Sequence, residues 1–96
     1  MLPVHEADSG PAGPANLLAW AWSHGNRWGA VIVNYGPDRA RGRVRFPAAW
    51  FAAEGEVRLR DFARETVYAR DSRELAGDGL FVDLGPWEYH LLVPEQ

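Results

Sequence analysis

Cysteine is absent from the 96 residues. That excludes a disulfide framework and thiolate chemistry, and it leaves the redox compartment open. Lysine is absent too, so all ten basic residues are Arg. With 13 acidic residues the formal charge is only -3. No one-signed field therefore draws the chain to nucleic acid or to an anionic membrane. No apolar run approaches the roughly 18 residues of a membrane-spanning helix. The first residues lack the basic and apolar regions of a signal peptide. These shortages predict neither a nucleic-acid nor a membrane partner and slightly favour a cytoplasmic location.

The rest of the composition is that of an ordinary globular protein, 47% hydrophobic and 24% charged. The length suits one domain with a single core and is too short for an enzyme-sized barrel. Ten Gly and seven Pro fall mostly between apolar runs, where the turns of a β-sandwich need them. Five Trp is a high number for this length. They supply either an aromatic-rich core or a platform that stacks on a sugar ring.

Trp28-Gly29-Ala30-Val31-Ile32-Val33-Asn34-Tyr35 is the most apolar stretch, dense in β-branched residues and bracketed by turn formers. It predicts a central strand covered on both faces, with Asn34 ending it by bonding nearby backbone. Before it, Leu18, Trp20 and Trp22 alternate with Ala19 and Ala21. The two stretches make a hairpin through His24-Gly25, where Gly25 or Asn26 can take the positive φ of the turn, with Leu18, Trp20 and Trp22 packed alongside the central strand. Arg41, Arg43 and Arg45 alternate with Gly42, Val44 and Phe46, a half-buried strand whose Arg row awaits carboxylates such as Glu54, Glu56, Asp61 and Glu65.

Shorter strands follow over Glu56 to Phe62, Thr66 to Arg70, Gly79 to Leu84 and Trp87 to Val93. Pro47 to Gly55 is the only segment with helix propensity. Residues 1–15 read as an edge strand, Leu2 to His5, followed by a Pro/Gly linker, and residues 16–96 as the domain. The pattern predicts an all-β fold, an antiparallel two-sheet Greek-key-type sandwich of about seven or eight strands.

Catalytic chemistry finds no foothold. His5, His24 and His90 match no metal-ligand spacing, and no Ser stands in a nucleophile-elbow context. Asp61 with Glu65, or Asp71 with Glu74, could meet across a turn as the paired carboxylates of a glycosidase do. Each lies beside Arg58, Arg60, Arg64 or Arg73, and none sits in an apolar run that would bury it and raise its pKa. Surface ion pairs or turn caps are the expectation. The chain is read as having no catalytic residue, no metal and no cofactor.

The order of elements resembles the C-terminal all-β domain of α-amylase-family glycoside hydrolases. The likeness runs through Leu17-Leu18-Ala19-Trp20, then Trp28 to Tyr35 with its Val33-Asn34 ending, then Ala40-Arg41-Gly42-Arg43-Val44. It continues with Leu59-Arg60-Asp61-Phe62, Val67-Tyr68-Ala69-Arg70 and the close Gly79-Leu80-Phe81-Val82-Asp83-Leu84-Gly85-Pro86-Trp87-Glu88-Tyr89-His90-Leu91-Leu92. It covers residues 16–93, and the order of the motifs is more specific than any one of them. The (β/α)8 barrel that carries the family's catalytic carboxylates has no counterpart in these residues, so no catalytic residue transfers.

The resemblance implies a non-catalytic accessory domain of an amylase-like enzyme acting on α-glucans. Such a domain packs on the catalytic barrel and stabilises it, and one of its sheets should then carry an exposed apolar patch. The alternative is a carbohydrate-binding module that contacts α-glucan through exposed aromatics, with Trp50, Phe51, Trp22 and Trp87 as candidates. An immunoglobulin-like or fibronectin-like adhesion module is a third reading, on fold analogy alone.

Overall fold

The computed structural model describes residues 4–5, 16–25, 27–51 and 55–95. The linker read over Asp8 to Ala15, and Leu2 and Pro3 of the edge strand, lie outside them. Eight strands run in chain order: β1 (Val4–His5), β2 (Leu17–His24), β3 (Arg27–Asn34), β4 (Ala40–Val44), β5 (Glu56–Asp61), β6 (Thr66–Asp71), β7 (Leu80–Leu84) and β8 (Tyr89–Pro94). A five-stranded sheet has the order β2-β3-β8-β5-β6, and a smaller sheet the order β1-β4-β7. All pairings are antiparallel. The all-β sandwich is as the alternation predicts.

The chain changes sheet between β1 and β2, β3 and β4, β4 and β5, β6 and β7, and β7 and β8, so the last strand returns to lie between β3 and β5. The immunoglobulin arrangement divides its strands as ABED and CFG. A five-strand sheet closed by the final strand at its centre is a different connectivity.

The hairpin of β2 and β3 forms where expected, with Gly25 at φ 61° supplying the left-handed turn. Its faces are not as expected. Leu17, Ala19, Ala30 and Ile32 point into the core and are buried, whereas Trp20 and Trp22 are among the exposed large hydrophobics. Val31 and Val33 are only half-buried, so β3 is covered fully on one face rather than on both. Apolar residues occupy both faces of this hairpin, and alternation alone cannot choose between them.

The remaining strands follow their pattern. Val44 and Phe46 are buried in and beside β4, Leu59 in β5, and Leu80, Val82 and Leu84 in β7. The outward Arg row of β4 finds partners other than the carboxylates expected for it. Arg41 pairs with Asp83 at 3.3 Å and Arg43 with Glu74 at 2.8 Å. β7 is the strand bonded to β4, so its carboxylate is the near one.

Two short helical pieces pack against each other, and each sends a large side chain into the core, Phe51 and Leu75. Ala48–Phe51 forms a 3-10 turn at the segment with helix propensity; Ala52, Ala53 and Glu54 lie outside the described residues. The other piece, α1 (Ser72–Ala76), falls where sequence suggests only a lead into a turn. Asp71 caps it by accepting from the Arg73 N–H at 2.8 Å, which satisfies one of the orphan donors of a helix start. Asp71 is therefore a cap, and Glu74 bonds Arg43 instead of joining it.

Candidate functional site

Two features stand apart from the fold's ordinary packing: one face of the larger sheet, and a cleft at the side of the sandwich.

The outward face of the five-stranded sheet is apolar across three strands, β2, β3 and β8. Trp20 of β2 lies opposite Val31 of β3, and Val31 opposite Leu91 of β8. The Phe62 N–H bonds the Leu91 carbonyl at 2.9 Å and extends this row beyond β5. A second row runs Leu18, Val33, Tyr89. Trp22, Phe62 and Tyr89 are 50%, 54% and 50% exposed. The cations at the margin are Arg27, Arg58 and Arg60, all exposed. Arg58 pairs with Glu95 at 3.4 Å, while Arg60 lies over the Phe62 ring at 5.3 Å and has no acidic partner among the described residues.

The four sugar-contact candidates separate. Phe51 is buried, and Trp50 is half-buried and stacked on Trp28 at 4.8 Å. Both belong to an aromatic cluster with Trp28 and Phe46 at one end of the core. Phe51 is thereby withdrawn from the surface, and Trp50 has one ring face taken by Trp28. Trp22 and Trp87 are exposed, far apart in the topology, and not brought together with the other two. Trp87 is 59% exposed and stands edge-on to the exposed Tyr35, ring centres 5.6 Å apart. Its φ of 62° is the left-handed value that a type II turn places at its third position, here after Pro86 and closed by the Glu88 N–H bonding the Gly85 carbonyl at 3.2 Å. Glu88 also accepts from the Gly85 N–H and pairs with Arg64, which holds the turn from both sides.

The cleft contains a cluster that sequence reading missed. Asp61 is fully buried, at the end of β5, and accepts from the backbone N–H groups of Ala63 (2.9 Å) and Leu91 (3.1 Å). Its Oδ2 stands 2.5 Å from Nδ1 of the buried His90, and the Tyr68 hydroxyl reaches toward the same oxygen at 3.4 Å. Burial by itself pushes the Asp61 carboxyl up. The hydrogen bonds from His90, Leu91 and Ala63 and the charge of His90 outweigh it and hold the group below its ordinary value. Burial, and then the Asp61 charge, push the Tyr68 phenol up. An ionised Asp61 fixes the imidazole with its proton on Nδ1 and leaves Nε2 for other partners.

Such an aspartate–histidine pair orients a general base in many hydrolases, but among the described residues no Ser accompanies it, and the chain has no Cys. Ser72, the buried serine among the described residues, accepts from the Gly55 N–H at the far end of β5 and β6. Asp61 does not pair with Glu65. Its burial contradicts the expectation that these carboxylates lie in solvated turns. The only sequence signal was the inward parity of Asp61, two residues after Leu59, together with that of His90, two before Leu92.

Among the described residues no group of three or more His, Asp or Glu is placed to hold a metal ion. Comparison with protein-family models, with curated proteins and with solved structures yields no match.

Proposed function

We propose that this chain is a non-catalytic accessory domain that docks the outward face of its five-stranded sheet on a larger catalytic domain and stabilises it. One observation carries the reading: the contiguous rows Trp20–Val31–Leu91–Phe62 and Leu18–Val33–Tyr89 on a face that the fold does not cover. A sheet needs only one face for its own core, and soluble proteins seldom leave a wide apolar patch on the other without a partner. Arg27, Arg58 and Arg60 at the margin select a surface that is apolar at its centre and edged with carboxylates. By resemblance of sequence that partner is an amylase-like (β/α)8 barrel acting on α-glucans.

The test is made in the full-length native polypeptide that carries this chain. Leu91→Gln combined with Val31→Gln should leave the sandwich folded and make the α-glucan-degrading activity inactivate at a lower temperature. Unchanged thermal inactivation, or a native polypeptide without such a catalytic domain, overturns the reading.

Carbohydrate binding is the second reading, and Trp87 favours it. A bulky residue in the left-handed region stores strain that a purely structural turn would avoid with Gly or Asn. Titration with maltoheptaose should shift the indole N–H resonance of Trp87. An unmoved spectrum at saturating sugar removes this reading.

A further inference from the structure

The two sheets of the sandwich end on one side with β6 and β7, both edge strands. Between them opens a cleft of about 210 Å³. Leu80, Phe81 and Leu92 form its apolar walls, and Tyr68 and His90 reach it from β6 and β8. The volume is below the 300 Å³ or so at which sites for drug-sized ligands begin, so only a single-ring compound fits.

The cleft is lined by two guanidinium groups, Arg64 and Arg70, and by the His90 imidazole. The His90 side chain is nine-tenths buried, with Nδ1 committed to Asp61. Nε2 has no hydrogen-bond partner among the described residues. Arg70 lies at the mouth with its guanidinium 5.4 Å from the Tyr68 ring centre. It spends one N–H on the Ala69 carbonyl and has no acidic partner among the described residues. Arg64 is also at the mouth and is tied to Glu88 through one nitrogen. The one carboxylate lining the cleft, Asp83, is already neutralised by Arg39 at 2.7 Å and Arg41 at 3.3 Å.

We propose that this cleft binds a small carboxylate with a compact apolar body, its ring lying between Tyr68 and Phe81 beside His90 and its carboxyl group held by Arg70. The guanidinium fork matches a carboxylate with two parallel hydrogen bonds, and the low-dielectric walls strengthen them. The site is separate from the docking face, and its existence does not depend on what covers that face.

Sodium benzoate is the probe, titrated into the full chain while the ring resonances of His90 and Tyr68 are followed. Saturable shifts of both are expected, and benzyl alcohol, which has the ring without the charge, should bind at least about tenfold more weakly. Arg70→Gln, checked for an unchanged melting temperature, should weaken benzoate by about the same factor. Should that variant fail to fold, the comparison of benzoate with benzyl alcohol still decides. Equal affinity for the two compounds, undiminished benzoate binding by folded Arg70→Gln, or shifts with maltose but not with benzoate would each overturn the proposal.

Discussion

The indole of Trp22 lies across Gly29, its register partner on the neighbouring strand. A Cβ at position 29 would overlap the six-membered part of the ring. Gly29 is buried for that reason, although it points to the outward face of the sheet. Glycine weakens a strand because it has no side chain to pack, and an aromatic neighbour folded over it restores the cover. The glycine in the middle of the most apolar run is thus the seat of a tryptophan.

That relationship predicts a coupled pair. Gly29→Ala should displace the Trp22 ring and reduce stability, whereas in a Trp22→Ala background the same change should stabilise by about 0.5–1 kcal/mol. Urea unfolding of the four proteins of the cycle measures the coupling, expected at about 1 kcal/mol or more. Simple additivity would show that the ring does not depend on the missing side chain.

Asp61 ties the stability of the fold to pH. Its carboxyl is held below its ordinary value in the folded state. The stability it contributes is therefore complete above the unfolded-state pKa of about 3.9 and is lost as pH falls through the lower folded-state value. Asp61→Ala, which strands the Leu91 and Ala63 N–H groups and His90, should cost about 3–5 kcal/mol at neutral pH. Asp61→Asn should cost less and should flatten the fall of melting temperature below pH 4 or so. Thermal unfolding across the acid range checks both.

Asn34 fastens the β3–β4 loop to the end of β7. Its side-chain amide donates to the carbonyl oxygens of Asp38 (2.8 Å), Leu84 (3.1 Å) and Gly85 (2.8 Å) from a fully buried position. Three carbonyls around one NH2 admit a donor and nothing else. Asn34→Ala should cost about 2–3 kcal/mol. Asn34→Asp should cost more, because a buried carboxylate would face three carbonyl oxygens. Chemical denaturation of the two variants at neutral pH orders them, and a milder effect for Asp would contradict the assignment.

Trp87 should be dispensable for folding. Replacing it with Gly removes a left-handed conformation that costs an ordinary residue about 1–2 kcal/mol. It also removes the edge contact with Tyr35, worth about 0.5–1.5 kcal/mol. The expected result is stability unchanged or raised by about 1 kcal/mol. A clear loss on unfolding would mean that the Tyr35–Trp87 contact belongs to the fold rather than to a binding surface.

Much of the architecture was legible along the chain because strand alternation and turn chemistry are local. The inward sides of β4, β5 and β7, the Gly25 turn and Asn34 as a backbone-bonding strand end all follow from side chains two residues apart or from one residue's hydrogen-bonding habit. α1 escaped notice because it is only five residues long and rests on a cap and one buried leucine, Leu75.

The sequence by itself determined that this is an all-β sandwich, and which residues of each strand share a face. Only the tertiary structure decided which face of the β2–β3 hairpin is core. A period of two relates neighbours to one another but not to the interior, and with apolar residues on both sides the choice fell to packing: Ala19, Ala30 and Ile32 went in, and Trp20 and Trp22 stayed out. The tertiary structure also brought Asp61 and His90 together across 29 residues, and gave Arg41 and Arg43 their carboxylates from β7 and α1. Such pairings depend on strand order, which is set by how the sheets close rather than by any short stretch of chain.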